Sequence, residues 1–226
     1  GRYFTRLSAD GRKLASQVLF RPDSYPDFYS GVNIAYPEGV EVVKLYLEGY
    51  TVHYVRSGTQ AASDAYANKA STLLPQIATH FSGMGFPTAP SDGNAGGGAD
   101  LYDVYITDLP SGIAGFCSAS GIPGQPWPSY VVISNKLAFN DVSTATTLST
   151  TLAHEIFHSV QYAYDPAERS WWKEATAVWA QDEVFESIND YVLLLPERMR
   201  EPHHPLDTTD GRMEYATVLW SKYLDE

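Results

Sequence analysis

The sequence predicts an α+β fold in which a lobe built on a mixed β-sheet is followed by a helical C-terminal lobe. Two observations lead to this prediction. Segments with strand composition, interrupted by one helical segment, fill the chain up to about residue 134, and only helical periodicity follows. The chain has 226 residues, 44% of them hydrophobic, and no internal repeats, so it can bury a substantial core. Strands followed by helices are typical of the α+β class.

Five segments have the composition of β-strands. Each is short, is rich in Val, Ile or aromatic residues and is bounded by glycine or by turn residues. We expect strands at residues 42–45, 50–55, 101–106, 113–118 and 130–134. Residues 11–20 fit either a short strand or a helix, and residues 1–40 as a whole are expected to form an N-terminal arm or the remnant of a pro-segment.

Helical spacing of apolar residues predicts the remaining elements. The most regular helix should begin at a cap provided by Asp141 or Ser143 and should stop before Asp165 and Pro166. The other helices are expected at residues 60–81, 171–187, 189–200 (interrupted near Pro196) and 213–226. We therefore divide the chain after the arm into an α+β lobe, residues 41–165, and a helical lobe, residues 166–226.

Composition excludes several functional classes. The net charge of −12 repels phosphate backbones and anionic lipids, so we expect no nucleic-acid partner. No apolar run reaches the roughly 18 residues that a membrane span needs. The single cysteine, Cys117, cannot form an intrachain disulfide. An acidic chain rich in Tyr and poor in Lys is typical of secreted bacterial proteins, so we expect an extracellular monomer whose signal peptide has been removed before Gly1.

The motif that carries chemistry is H-E-x-x-H at residues 154–158, on the most regular helix. Four residues advance an α-helix by about 400°, so His154 and His158 lie one turn apart on the same face. That spacing allows both imidazoles to bind one tetrahedral zinc ion. Glu155 is placed to act as the general base toward a zinc-bound water.

The motif itself does not identify the third ligand. The class of zinc proteases that continues H-E-x-x-H-x-x-G-x-x-H is excluded, because Gln161 and Tyr164 stand at its glycine and third histidine. Asp165 is an oxygen ligand of suitable charge, but it fits better as the residue that ends the helix. Glu174 is the better candidate, because it falls in the first turn of the next helix, where the hairpin can return its carboxylate to the metal.

These two segments resemble those of the gluzincin clan of zinc metallopeptidases, which includes thermolysin and the aminopeptidase N type. The clan's third-ligand glutamate lies in a segment similar to W-x-x-E-A-x-A at residues 171–177. Over residues 50–226 the chain most resembles a family of secreted bacterial metalloproteases within that clan. The resemblance implies a zincin-like fold. Two departures are the short interval from His158 to Glu174 and Ala175 in place of the usual glycine.

The resemblance also implies where a substrate binds. An edge strand precedes the zinc helix by one further strand in gluzincins, and Ala114, Gly115 and Phe116 occupy that place here. An extended peptide can pair with such an edge through main-chain hydrogen bonds. Residues 112–116 contain no carboxylate that could hold a free amine, so we favour an endopeptidase over an aminopeptidase.

Three further features have only candidate residues: the oxyanion donor, the acceptor for an imidazole N–H and a calcium site. Tyr215, at the start of the last helix, is the preferred donor to the oxyanion, with His203 and His204 as rivals. Asp182, two turns after Glu174, is a candidate acceptor for an imidazole N–H. A calcium ion is conceivable at the acidic residues Asp92, Asp100, Asp103 and Asp108, but nothing in their pattern supports it.

The sequence thus predicts a secreted, zinc-dependent peptidase. One zinc ion is held by His154, His158 and Glu174, and a zinc-bound water is activated by Glu155 to hydrolyse a peptide or protein substrate. The alternatives are an aminopeptidase, a non-catalytic zinc-binding module of a larger surface protein, and a latent enzyme in which residues 1–40 lie in the cleft.

Overall fold

The computed structural model describes residues 21–22, 35–90, 93, 100–119, 121, 125–137 and 144–226. The segment 11–20 and the two candidate caps, Asp141 and Ser143, lie outside the described residues.

A five-stranded mixed sheet forms the centre of the fold. Its strands are β1 (Val42–Leu47), β2 (Tyr50–Val55), β3 (Tyr102–Thr107), β4 (Gly115–Ala119) and β5 (Ser129–Ser134). Their order across the sheet is β1-β2-β3-β5-β4. The outer pairs β1/β2 and β4/β5 are antiparallel, whereas β2/β3 and β3/β5 are parallel. The α+β prediction is confirmed, and the segment expected at residues 113–118 is the edge strand β4.

The described parts of the chain contain six α-helices. They are α1 (Asp64–Gly83), α2 (Thr144–Tyr164), α3 (Ser170–Val184), α4 (Leu195–Arg200), α5 (Met213–Ala216) and α6 (Val218–Asp225). A 3₁₀ helix, Asp190–Leu193, precedes α4. The segment expected as one helix at 189–200 is therefore divided, with Pro196 in the first turn of α4, where its missing N–H costs no hydrogen bond.

The last helix is also divided, at Thr217. This residue ends α5 with ψ near 0°, and both its amide and its hydroxyl bond to the carbonyl of Met213, at 3.0 and 2.7 Å. A hydroxyl that returns to the preceding turn competes with regular helix geometry. The segment expected at 213–226 therefore forms two short helices, with Tyr215 on the first of them.

The main core lies between one face of the sheet and the helices α1 and α2. Residues alternate along the strands, so that Val104 and Ile106 face this core and Tyr105 faces the opposite side. On α2, Leu148, Leu152 and Ile156 are buried in the same core. Helix α3 packs against α2, and α5 and α6 pack against α3. This packing brings the first turn of α3 and the helix α5 to the polar face of α2.

The opposite face of the sheet is covered by residues from the N-terminal part of the chain. The Tyr36 hydroxyl donates hydrogen bonds to the carbonyls of His53 and Ile106, at 2.8 and 3.0 Å. Arg21 pairs with the buried carboxylate of Asp103, which also contacts His53 Nε2 at 2.7 Å. The described residues of the arm therefore lie on the side of the sheet away from α1 and α2.

Within the described residues, no helix combines the length and the apolar character that crossing a membrane requires.

Candidate metal centre

The two histidines of the H-E-x-x-H motif lie one turn apart on α2, as the spacing predicts. Both are more than 90% buried, and their rings are 4.7 Å apart and nearly perpendicular. The apolar residues Leu152 and Ile156 hold this part of α2 in the core. The packing of this helix therefore fixes the positions of both imidazoles without a bound ligand.

Glu174 reaches the same point from the first turn of α3. Its Oε2 lies 3.1 Å from Nε2 of His154 and 3.4 Å from Nε2 of His158. The ligand atoms of these three residues all lie within 4.8 Å of one another. Ala175, which is fully buried, has a side chain small enough for α3 to pack closely. The hairpin between the helices thus brings Glu174 to both histidines.

The three side chains fit a zinc ion. A tetrahedral ion bound at about 2.0–2.2 Å separates its ligand atoms by about 3.3–3.6 Å, and the two distances to Glu174 lie close to this range. Unprotonated Nε2 atoms and a carboxylate oxygen repel one another at such distances, so either a metal ion or protons on these nitrogens must lie between them. Two imidazoles and one carboxylate form a donor set that zinc uses in catalytic sites.

The electrostatics of the metal-free residues agree with this charge requirement. Burial acts to raise the pKa of Glu174, but hydrogen bonds from the two histidines outweigh it and hold that pKa well below its usual range. For His158, burial acts to lower the pKa, but Glu174 and Glu155 outweigh it and raise the pKa above 6.5. The site therefore attracts positive charge.

Glu155 is buried next to this centre. Burial raises the pKa of its carboxyl above 4.5, and the backbone N–H of Cys117 donates a hydrogen bond to it. Its Oε2 is buried and has no hydrogen-bond partner among the described residues. A buried carboxylate oxygen is costly to leave unpaired. The arrangement leaves that oxygen available for a water molecule or a substrate group.

Tyr215 is the fifth polar residue at the centre. Its ring stacks on that of His154 with the centroids 6.0 Å apart, and its hydroxyl can hydrogen-bond with the Glu174 carboxylate. Burial and the nearby carboxylates raise the pKa of this phenol above 10, so it keeps its proton at neutral pH. Tyr215 therefore presents an O–H donor beside the three candidate ligands.

The rival candidates lie elsewhere. His203 and His204 are adjacent, with Nε2 atoms 3.5 and 3.9 Å from the exposed carboxylate of Glu201, and these three residues form a separate surface cluster. Asp165 is exposed and accepts a hydrogen bond from the backbone N–H of Ala167, so it closes the turn after α2. It does not belong to the group around His154.

The hydrogen-bond partners of the imidazoles are residues that the sequence did not reveal. Nδ1 of His154 lies 3.0 Å from Oε1 of Gln181, and Nδ1 of His158 lies 2.7 Å from Oε1 of Gln161. The candidate Asp182 does not have this role, because its carboxylate pairs with Lys222. Spacing could have indicated both glutamines, since Gln181 lies seven residues after Glu174 and Gln161 three after His158.

A cavity of about 400 Å³ opens beside these residues. Its walls include His154, Glu155, Tyr215, Ala114 and Gly115, together with apolar and hydroxyl side chains from α2, α3 and the 3₁₀ helix. The main chain of the edge strand therefore lies along one wall of the space that also contains the candidate base.

The three edge-strand residues differ in what they offer to a ligand. The carbonyl of Ala114 already accepts the N–H of Ser134 in the sheet, and Phe116 packs against the core on the other face. The N–H of Cys117 points to Glu155. Because main-chain groups alternate in direction along a strand, Gly115 directs its N–H and C=O away from β5. Of the three, Gly115 has main-chain groups that face away from the sheet.

The acidic residues considered for calcium do not come together in the described structure. Asp103 is buried against His53 and Arg21, and Asp108 pairs with Lys136 at 2.9 Å. No cluster of candidate metal ligands within the described ranges contains Asp100, Asp103 or Asp108, and Asp92 lies outside those ranges.

The comparisons with known proteins do not assign the chain to a family. No protein-family model matches the chain, and no curated protein matches it. The chain is similar to the crystal structure of an aminopeptidase N family protein from Idiomarina loihiensis, with 13% sequence identity and a TM-score of 0.42. The match covers 83% of this chain and 33% of that chain, so this chain spans about a third of the length of that structure. At this identity and TM-score, the likeness identifies no function.

Proposed function

We propose that this protein is a zinc-dependent peptidase of the gluzincin type. The observation that carries the proposal is the convergence of His154, His158 and Glu174 next to the unpartnered Oε2 of Glu155. A purely structural zinc site needs no unpaired base and is closed by four protein ligands. Here the ligand His154 and the base Glu155 line a cavity of about 400 Å³, which is large enough for part of a peptide.

The chemistry follows from the positions of the side chains. A zinc ion held by the three ligands would polarise the scissile carbonyl and lower the pKa of a water molecule. Glu155 accepts the proton of the attacking water and delivers it to the leaving amine. The raised pKa of Glu155 suits both steps, because the carboxyl must take a proton and give it back. Tyr215 donates its O–H to the oxyanion that develops on the carbonyl.

The edge strand β4 would hold the substrate. Gly115 directs its main-chain groups away from the sheet, so an extended peptide can add as a further strand. This arrangement needs no free terminus, which favours an endopeptidase. We also propose that the protein is secreted and monomeric, and that the helical lobe at 166–226 supplies the third ligand to the α+β lobe at 41–165.

One observation favours an aminopeptidase as the second candidate. Asp190 lines the same cavity, and its carboxylate could bind the amine of a free N-terminus. Acetylating the amino terminus of a peptide substrate separates the two activities. We expect the cleavage rate to stay within about twofold, because Asp190 already accepts a hydrogen bond from Gln181. A collapse of the rate on acetylation would instead assign the protein as an aminopeptidase.

The proposed activity is tested with zinc-loaded protein on casein and on an internally quenched peptide. We expect cleavage that stops on addition of a chelator and returns with zinc. Glu155→Gln is the matched control, because it keeps the three ligands and removes only the base. Zinc content should be equal in both proteins. Cleavage by Glu155→Gln at a rate near that of the wild type would show that Glu155 is not the base.

A further inference from the structure

We infer that Gln161 and Gln181 are positioning residues that hold the proton of each ligand imidazole on Nδ1 and so leave Nε2 free for a metal. The inference rests on the proposed zinc centre. Both side chains contact a ligand histidine, and Gln181 also lines the cavity beside Glu155. The inference is tested by metal affinity rather than by peptidase activity.

The orientation of the Gln161 amide is fixed at its far end. Its Nε2 lies 2.8 Å from the backbone carbonyl of Lys173, and a carbonyl can only accept a hydrogen bond. Nε2 also lies 2.8 Å from Oγ1 of Thr176, whose own proton is directed to the carbonyl of Trp172 at 2.7 Å. Both contacts require the amide nitrogen at this position. The amide oxygen therefore faces His158.

The proton on His158 follows from that orientation. An amide oxygen accepts, so the 2.7 Å contact between Gln161 Oε1 and Nδ1 requires Nδ1 to carry the proton. In the neutral ring Nε2 then keeps its lone pair, and this is the nitrogen that faces Glu174 at 3.4 Å. The unprotonated Nε2 is the form that binds a metal.

Gln181 acts in the same way on His154. Its Nε2 donates to the carboxylate of Asp190 at 2.9 Å, and an ionised carboxylate only accepts. Oε1 of Gln181 therefore accepts from Nδ1 of His154 at 3.0 Å. The lone pair of His154 is left on Nε2, which faces Glu174 at 3.1 Å.

The two glutamines also brace the helices that carry the ligands. Gln161, on α2, bonds to the carbonyl of the residue just before Glu174 on α3. Gln181, on α3, bonds to His154 on α2. In both bonds the donor lies on α2 and the acceptor lies on α3. These bonds help to hold Glu174 against the histidines across a short hairpin. They also give a function to Gln161, which stands at the position where another class of zinc proteases has glycine.

The test measures zinc affinity by competition with a chromophoric chelator. Gln161→Met and Gln181→Met keep the length of the side chain and remove the acceptor. We expect each to weaken zinc binding by about 10–100-fold, as is typical when a hydrogen-bond partner of a ligating histidine is lost. Gln60→Met is the matched control, because Gln60 is buried outside the group around the histidines, and its affinity should equal that of the wild type.

A second pair of variants distinguishes the loss of the hydrogen bond to Nδ1 of His154 from the loss of side-chain packing. Gln181→Glu places a carboxylate against Asp190 and should weaken zinc binding, whereas the double variant Gln181→Glu with Asp190→Asn restores a donor–acceptor pair. We expect this exchange to recover the affinity to within about threefold of the wild type. Nitrogen-15 NMR of the zinc-loaded protein should show a proton on Nδ1 of both rings, and Gln161→Met should change the Nδ1 signal of His158 but not that of His154.

Two results would overturn the inference. One is zinc affinity within twofold of the wild type in both Met variants. The other is an exchange variant as weak as Gln181→Met, which would reduce Gln181 to a packing role. Neither result depends on catalysis, so the inference can stand if no peptidase activity is found, and it can fail while Glu155 is still shown to be the base.

Discussion

Replacing Gly115 by alanine tests whether β4 positions the base. A Cβ at this residue would lie 2.9 Å from Cδ1 of Ile133, 3.0 Å from the carbonyl oxygen of Val132 and 3.1 Å from Cγ of Glu155. Carbon atoms in contact prefer about 3.5 Å or more, so Glu155 must move by about 0.4 Å. The backbone carbonyl cannot turn aside without disturbing the β4/β5 pairing. The methyl group therefore shifts the base, the strand or both.

The expected effects can be estimated. Overpacking of this kind costs about 1–3 kcal/mol of stability. A displacement of 1 Å at a reacting group costs about 100-fold in rate, so a shift of about 0.4 Å corresponds to roughly 5–10-fold in kcat. Zinc affinity should not change, because none of the three ligands is among the atoms that the new methyl group contacts. The assays are the kcat on a quenched peptide, the melting temperature and the zinc affinity.

Gly83→Ala is the matched control. Gly83 is the last residue of α1, it has no unusual φ, and a Cβ there meets nothing within 4 Å. Its alanine variant should keep full activity and should gain up to about 1 kcal/mol of stability. The account of Glu155 is refuted if folded Gly115→Ala has the wild-type kcat, and also if its zinc affinity falls together with its activity.

Three further predictions concern the ligands and the oxyanion donor. Glu174→Ala should weaken zinc binding by about 10-fold or more, whereas Asp165→Ala should leave it unchanged; the opposite pattern in a chelator competition would reassign the third ligand. Tyr215→Phe should lower kcat by about 100-fold without a change in KM or zinc content. The control variant His204→Ala should have no effect on kcat. Equal kcat values for the wild type and Tyr215→Phe would show that the phenol takes no part in the mechanism. In metal-free protein, the raised pKa of His158 adds stability that is complete below about pH 6.5 and is lost as the pH rises through the folded-state pKa. The melting temperature of metal-free wild type should therefore exceed that of Glu174→Gln most clearly near pH 6, and a difference that grows toward pH 9 would contradict this ion pair.

The parts of the site that lie within one helix were predictable from sequence. The relation of His154, Glu155 and His158 depends only on helix geometry, and apolar periodicity places their helix in the core. Glu174 required one further step, a hairpin between consecutive helices. The strands were predictable because each carries a short apolar segment between turn residues.

The parts that depend on packing between elements were not predictable in the same way. Asp182 and Gln181 are neighbours in sequence, but one residue turns a helix by about 100°, so that Gln181 faces His154 and Asp182 faces Lys222. Helix spacing favours Gln181, because seven residues after Glu174 return to within about 20° of its direction and eight lie about 80° away, but spacing alone does not show that Gln181 contacts His154. The contact of Arg21 with Asp103 spans 82 residues, and it too depends on how the chain packs rather than on any local signal.

Anomalous diffraction at the zinc edge from crystals of the zinc-loaded protein tests the central claim most directly. The account predicts one strong anomalous peak within about 2.0–2.3 Å of Nε2 of His154, Nε2 of His158 and a carboxylate oxygen of Glu174. A peak bound by Asp165 in place of Glu174, or zinc bound only at His203 and His204 with none between the two helices, would contradict it.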